Sequence, residues 1–256
     1  MLRGAAGAGL IGAMLLAGTA QASAWPVPAG RTYAIIKYEP SVADEGYDPT
    51  GVRVPLPAPL REDAASLFIE RGLTRRLMLQ GKLTYQAGED QFVRYDGRGP
   101  LELGLRYALL IRPRSVVSLY VGGVFVGEGR NAGYARPNQG DGDLEVRLLA
   151  GRTGRWRGRD VFAEAQLARL VRSGLPDETR LDLTAGVYFT RRWLVLVQTY
   201  AGQADASPVS PRWLKVESSI VRQVGPWSLQ VGWREATYGR ESPAEHGPVI
   251  GVWRRF

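Results

Sequence analysis

The sequence predicts an all-β protein, a transmembrane antiparallel up-and-down β-barrel of about 12 strands, and three observations predict it. Segments of about ten residues alternate apolar and polar side chains with period two along most of the chain. The links between these segments alternate between a short and a long class, as periplasmic turns and outward loops do in outer-membrane barrels. The final segment ends on an aromatic residue, Phe256, with Val252 and Ile250 at alternate positions upstream.

The alternation is clearest in six places. Leu77, Leu79, Gly81, Leu83 and Tyr85 share one face, opposite Arg76, Met78, Gln80, Lys82, Thr84 and Gln86. Leu101, Leu103, Leu105, Tyr107 and Leu109 stand opposite Glu102 and Arg106; Leu144, Val146 and Leu148 stand opposite Glu145 and Arg147. Leu181, Leu183, Ala185, Val187 and Phe189 face away from Arg180, Asp182 and Thr184, and Leu214, Val216 and Ile220 away from Lys215 and Glu217. Near the end Trp227, Leu229, Val231 and Trp233 face away from Ser228, Gln230 and Arg234. A helix would scatter these residues around its axis, whereas a strand sends them to opposite faces. The predicted strands are 31–38, 64–72, 76–87, 99–112, 115–126, 142–151, 160–171, 179–190, 193–204, 213–224, 227–237 and 247–256.

Short links fall at Leu73 to Arg75, Pro113-Arg114, Arg191-Arg192 and Gly225-Pro226; long ones fall at 39–63, 88–98, 127–141, 205–212 and 238–246. Two links break the rule, a longish turn at 152–159 on the short side and a short loop at 172–178 on the long side. Pro55 to Pro59 carries three prolines in five residues and reads as loop outside the barrel wall, because proline cannot donate to a ladder. Arg254 departs from the apolar alternation of the last strand, and its long stem is expected to carry the charge to the headgroups.

Residues 1–24 read as a cleaved secretory signal, leaving 25–256 as the barrel. Arg3 precedes an apolar run from Ala5 to Ala17, and Ala22-Ser23-Ala24 supplies a small-residue cleavage site before Trp25. Gly7-Ala8-Gly9-Leu10-Ile11-Gly12 spells a dinucleotide fingerprint but lacks room for a preceding strand and an acidic residue at the required distance, so no nucleotide cofactor is expected. Beyond the signal no stretch approaches the ~20 apolar residues of a spanning helix.

Composition removes several function classes. The chain has no cysteine, which excludes disulfides, metal-thiolate sites and thiol nucleophiles. Its formal charge is +8, but the 33 basic residues are spread among 25 acidic ones without a dense block, so no nucleic acid partner is expected. Outer-membrane lipid and lipopolysaccharide are the expected anionic neighbours, and Phe256 is the expected assembly signal for the barrel assembly machinery and its periplasmic chaperones.

Candidate chemistry is sparse, and no catalytic, metal or cofactor residue is expected. His246, the single histidine, lies near Ser242 and Glu245, a set that a lipid-modifying rim enzyme could use, though a lone loop histidine is usually only solvated. Asp141, Asp143 and Glu145 alternate but fall short of a calcium loop. Arg152, Arg155, Arg157 and Arg159 around Trp156 read as an aromatic girdle residue flanked by cations that contact headgroups. The constellation that stands out is the set of inward charges: Lys82, Glu102, Arg106, Glu145, Arg147, Glu164, Arg180, Asp182, Lys215, Glu217 and Arg234. Two readings follow, a charge-paired interior that largely closes the lumen and a hydrated path whose mixed charges tune passage of a polar solute.

Trp25-Pro26-Val27-Pro28-Ala29-Gly30 with Tyr33-Ala34-Ile35-Ile36-Lys37-Tyr38, and later Glu70-Arg71-Gly72-Leu73-Thr74-Arg75-Arg76-Leu77, resemble a family of outer-membrane transporters named for the meta-cleavage pathway of phenol degradation. The opening segment is also similar to outer-membrane proteins of bacterial adhesin and exopolysaccharide loci. The resemblance covers about a quarter of the chain, implies a barrel of about twelve strands with a transport role, and brings no catalytic residues. The expectation is therefore a channel or transporter-like barrel for a polar or aromatic solute or polymer. Its rivals are a non-conducting structural or surface-attachment barrel and, third, a lipid-modifying barrel enzyme.

Overall fold

In the computed structural model, which describes residues 24–90 and 92–256, the alternating segments are strands and the strands close into a ring. The expected signal and its glycine fingerprint, apart from Ala24, lie outside the described residues. The first half of the wall is β1 (Thr32–Tyr47), β2 (Arg53–Gly72), β3 (Leu77–Glu89), β4 (Arg94–Arg112), β5 (Ser115–Phe125) and β6 (Gly142–Trp156). The second half is β7 (Arg159–Ser173), β8 (Glu178–Thr190), β9 (Trp193–Ala204), β10 (Arg212–Val224), β11 (Trp227–Arg240) and, after the two-residue β12 (Ser242–Pro243), the final β13 (His246–Arg255). Each strand pairs antiparallel with its sequence neighbour, and β1 pairs with both β2 and β13. The result is a twelve-strand closed barrel plus one short extra strand, β12, which pairs Ser242 with Tyr47 and Pro243 with Gly46.

Leu103, Leu105, Leu144, Leu148, Leu181, Leu183, Val197, Ile220, Val231 and Ile250 point outward and are each 41–64% exposed. A band of this extent facing water would be a severe liability, whereas facing acyl chains it is the ordinary exterior of a membrane barrel. Where the strands meet the periplasmic side, arginines lie over aromatic rings: Arg159 over Phe189 at 4.4 Å, Arg222 over Trp193 at 5.2 Å, Arg157 over Trp156 at 4.8 Å. Arg254, which breaks the alternation of the last strand, lies 4.5 Å over both Trp227 and Phe256. The charge is thus spent on ring faces at the rim.

The strands run further than alternation alone predicts. The expected loop at 39–63 shrinks to 48–52, the one at 88–98 to 90–93, and the turn at 152–159 to Arg157-Gly158. Beyond the lipid both faces of a strand meet water, so apolar alternation lapses while the ladder continues. The Pro55–Pro59 stretch, expected as loop, is part of β2. Its ladder to β1 jumps from Ala43↔Leu60 to Glu45↔Pro55, which places Pro57 and Pro59 in a bulge. β3 joins β2 only from Arg61 onward, so the prolines lie on a free edge above the closed ring.

Apolar side chains also gather inside the barrel at its periplasmic end. Tyr33, Ile35, Phe68, Phe162, Leu194, Leu196, Val221 and Trp253 form one buried cluster with Val27 packed on it; Val116, Tyr120, Leu149 and Ala24 form another with Trp25.

Candidate functional site: a lumen closed at one end and charge-paired above

The segment before β1 turns into the barrel and crosses its periplasmic mouth. In the full chain Ala24, the last residue of the expected signal, accepts from Ser118 Oγ through its carbonyl at 3.0 Å and donates through its amide to Glu164 at 3.3 Å. The Trp25 carbonyl accepts from Arg106 at 3.0 Å, and Arg106 in turn donates to Glu70 at 2.7 Å, both side chains being fully buried. At the far side Gly30 donates to the Gly72 carbonyl at 2.8 Å. A Cβ at Gly72 would come within 2.3 Å of the carbonyl oxygens of Val27 and Pro28, so glycine is what lets the segment lie against β2. The Glu70-to-Leu77 hairpin thus combines a charge that fixes Arg106, a glycine that admits the segment, and Thr74, whose hydroxyl accepts from the amides of Arg76 and Leu77 at 3.2 and 3.0 Å to tighten the turn.

The outward end is narrowed by the loop 126–141 between β5 and β6. Asn131, Ala132 and Ala135 are buried. Buried Arg172 holds the loop: it pairs with Asp143 at 3.0 Å and with Glu178, donates to the Asn131 carbonyl at 2.8 Å, and reaches Tyr134 Oη at 3.3 Å. Burial, reinforced by Glu178, pushes the Tyr134 phenol well above the usual tyrosine range. Tyr134 Oη therefore stays protonated and donates to Glu178 at 2.9 Å.

Between these closures lies a cavity of about 400 Å³, within the size range of small-molecule sites. Lys37, Lys82, Arg147, Arg180, Lys215 and Arg234 line it, and so do Glu39, Glu102, Glu145, Glu178, Asp182 and Glu245, an equal number of each sign. Ile35 and Phe68 form an apolar floor, while Tyr134, Tyr200 and Trp213 add aromatic surface. The charges are paired, Lys82 to Glu102 across β3 and β4 at 3.5 Å, and, two residues apart along one strand, Arg147 Nε to Glu145 at 2.6 Å in β6 and Arg180 Nε to Glu178 at 2.6 Å in β8. A second network joins Lys37 to Glu39 at 3.0 Å and to Glu217 at 3.3 Å, and Arg234 to Glu217 at 2.6 Å. Gln230 donates to Glu217 at 2.8 Å, which satisfies a carboxylate that has no exposure of its own.

All eleven residues singled out from the sequence point inward, but they fall into separate groups. Lys82, Glu102, Glu145, Arg147, Arg180, Asp182, Lys215 and Arg234 line the cavity; Glu217 lies buried behind Lys37 and Arg234; Arg106 and Glu164 hold the segment below. Alternation could also have found Lys37 and Glu70, which sit between outward residues as the others do. Glu39, Glu178, Glu245, Tyr134 and Trp213 fall in stretches expected as loops or at strand ends, where no periodicity marks an inward side chain.

The other candidates are occupied differently. Ser242 donates to the Arg212 carbonyl at 2.9 Å, Glu245 pairs with Lys215, and His246 stacks 5.9 Å from Trp233, so the three form no hydrogen-bonded relay. Asp143 is committed to Arg172 and Glu145 to Arg147. Arg155 pairs with Asp160 at 3.6 Å on the rim, beside the Arg157–Trp156 stack. Among the described residues no group of three or more acidic or histidine side chains is placed to hold a metal ion.

Comparison with known proteins places the fold among outer-membrane channels and porins. An outer-membrane channel from Pseudomonas putida F1 superposes with a TM-score of 0.70 at 15% identity, over 93% of this chain and 100% of that one. The KdgM porin superposes with a TM-score of 0.56 at 9% identity over 87% of this chain and 99% of that one, and a second structure of it is a complex with disordered oligogalacturonate. The NanC porin gives 0.52 at 6% identity, over 85% and 98%. No family model matches the chain, and no curated protein matches it. The closed ring, its lipid-facing exterior and these likenesses together make this a bacterial outer-membrane β-barrel.

Proposed function

We propose that this outer-membrane barrel is a narrow, normally closed channel for a small solute that carries no net charge and has an apolar or aromatic part. The observation that carries the reading is the lining of the cavity: six cations and six anions over an apolar floor. A wall of one sign would concentrate the opposite ion, as steering fields do, whereas a balanced wall offers no such gain to an anion or a cation. It does offer paired partners to a zwitterion or a polar neutral molecule, and the Ile35–Phe68 floor adds a surface for a ring or short chain. The resemblance to the meta-pathway transporters favours an aromatic solute. The oligogalacturonate of the KdgM complex is a polyanion, and a charge-balanced, closed lumen suits it poorly.

The test is reconstitution into planar bilayers. Small, brief openings are expected, with a reversal potential near zero in a salt gradient, and liposome swelling should favour a zwitterionic amino acid over its charged analogues. A second reading, a non-conducting surface-attachment barrel, draws on the filled periplasmic mouth. Well-folded protein that never opens would end the channel reading and leave that one.

A further inference from the structure

We propose that the periplasmic rim of the barrel is a binding surface for anionic glycerophospholipids, which its arginines select over zwitterionic ones.

The charge of the chain is divided along the barrel axis. Positions 31, 71–76, 112–114, 152–160, 191–192, 222 and 254–255 belong to the periplasmic turns and the strand ends beside them. They hold fifteen arginines, no lysine and a single acidic side chain, Asp160; all of these arginines but Arg254 are exposed. Glu70 and Glu164, at the same end, are buried inside the barrel. Of the 33 basic residues one, Arg3, falls in the expected signal, which leaves 17 basic against 24 acidic side chains for the rest of the described chain. The positive excess of the protein therefore comes from this rim alone. Mixed signs would keep a merely solvated face equally soluble, whereas a face of one sign attracts a partner of the other.

Placement identifies the partner as lipid. Several of the arginines stand on the outer wall, in line with side chains that face acyl chains: Arg71 follows Leu67 and Ile69, Arg222 follows Ile220, and Arg254 follows Ile250 and Val252. Three of them oppose an exposed tryptophan directly in the ladder, Arg159 with Trp156, Arg222 with Trp193 and Arg254 with Trp227. Tryptophan settles at the headgroup level of a bilayer, so its cross-strand neighbour lies among the phosphates. Arg222 and Arg254 lie over those rings, at 5.2 and 4.5 Å. A stacked guanidinium spends its face and keeps its edge, whose paired N–H donors match two oxygens of a phosphate. Phosphatidylglycerol and cardiolipin offer that phosphate without a cation. Phosphatidylethanolamine adds an ammonium, and the one exposed carboxylate of the rim, Asp160, is already paired with Arg155 at 3.6 Å. The rim thus discriminates between lipids by the acidic groups it lacks.

The tryptophans supply the test. Proteoliposomes of phosphatidylcholine are doped with phosphatidylglycerol or phosphatidylethanolamine whose chains are brominated, and a brominated lipid quenches a tryptophan it lies beside. Trp233→Phe keeps the three rim tryptophans as reporters. Trp156→Phe/Trp193→Phe/Trp227→Phe instead leaves Trp233, which is half exposed on the outer wall towards the opposite end. The rim reporters should show phosphatidylglycerol bound about fivefold more tightly than phosphatidylethanolamine for each arginine that a headgroup engages. The preference should shrink as NaCl rises from about 50 to about 500 mM, and Trp233 should not share it. Arg152→Gln/Arg159→Gln/Arg222→Gln, with its heat-modifiable mobility intact, should bring the rim ratio towards one. Equal quenching of the rim by the two lipids at low salt would overturn the proposal and leave the arginines to an acidic periplasmic protein. The same preference at Trp233, or one that survives the triple arginine substitution, would overturn it as well. The two reporter variants keep every arginine, so they decide the matter should the arginine variant not fold.

Discussion

Substituting Arg106 by methionine should loosen the barrel's periplasmic closure and cost measurable stability. The guanidinium is 1% exposed, pairs with an equally buried Glu70, and donates to the Trp25 carbonyl of the crossing segment. Methionine fills much of the volume but leaves the Glu70 carboxylate buried without its cation, a change worth about 3–5 kcal/mol. Lost contact with Trp25 adds about 1 kcal/mol. Urea titration of folded protein in detergent, followed by the heat-dependent shift in gel mobility, should show a reduction of that order, and single-channel recording should show more frequent openings. The double variant Glu70→Gln/Arg106→Met removes both charges and should recover most of the stability while keeping the higher opening rate. Arg106→Met that loses less than about 1 kcal/mol, or a double variant no better than the single one, would refute the view that a buried charge pair holds this end.

Three further outcomes are expected. Arg172→Leu strands Asp143 and Glu178 without their shared cation and should free loop 126–141, seen as protease cleavage within 127–141 while the barrel keeps its heat-modifiable mobility; an uncleaved loop would count against the latch. At the turn 90–93, burial opposes ionisation of Asp90, but the amides of Phe92 and Val93 and the Arg130 guanidinium outweigh it and hold the carboxyl below its ordinary value of 3.8. A depressed carboxyl contributes stability in full above 3.8, lost as pH falls through the lower folded value, so hydrogen exchange at Phe92 and Val93 should accelerate only in that acidic window, and Asp90→Asn should abolish the dependence. Arg254→Ala removes the guanidinium from over Trp227 and Phe256 and should lower the unfolding free energy obtained from urea titration by about 1–2 kcal/mol without altering conductance.

Alternation is legible in a sequence only where the two faces of a strand meet different media. Leu103 against Glu102 and Leu181 against Asp182 show it because lipid lies on one side and the polar lumen on the other. Past the lipid edge the contrast lapses: Ser41, Ala43 and Glu45 of β1 look like loop, and so did Leu56 to Pro59, although the backbone is still paired. The inward charges were readable for the same reason as the outward leucines, but their partners were not. Arg234 meets Glu39 across 195 residues and Lys37 meets Glu217 across 180, separations that only closure of the ring brings together. The crossing segment was the least legible part. Trp25-Pro26-Val27-Pro28 has no period, and nothing in it marks the interior of the barrel as its destination beyond two large apolar side chains that would be costly in water.

The size of the ring explains why such a segment is needed. Twelve strands ~4.8 Å apart and tilted ~40° enclose a backbone radius of about 12 Å. Wall side chains reaching roughly 6 Å inward leave an axial path of comparable radius, more than paired arginines and glutamates can close from the wall alone. Two elements that are not wall complete the closure, the Trp25–Gly30 segment below and loop 126–141 above; each is pinned by one buried arginine, Arg106 and Arg172, and the lower one is also packed into the apolar clusters through Trp25 and Val27. Buried ion pairs are a poor source of net stability because the desolvation of both partners offsets most of their attraction. They are, however, exacting about position, since either partner left alone is expensive. An apolar contact of the same area would bind these elements more firmly and less specifically. The charge pairs therefore set where the closures sit, while the packing of Trp25 and Val27 into the apolar clusters supplies much of what holds the lower one there.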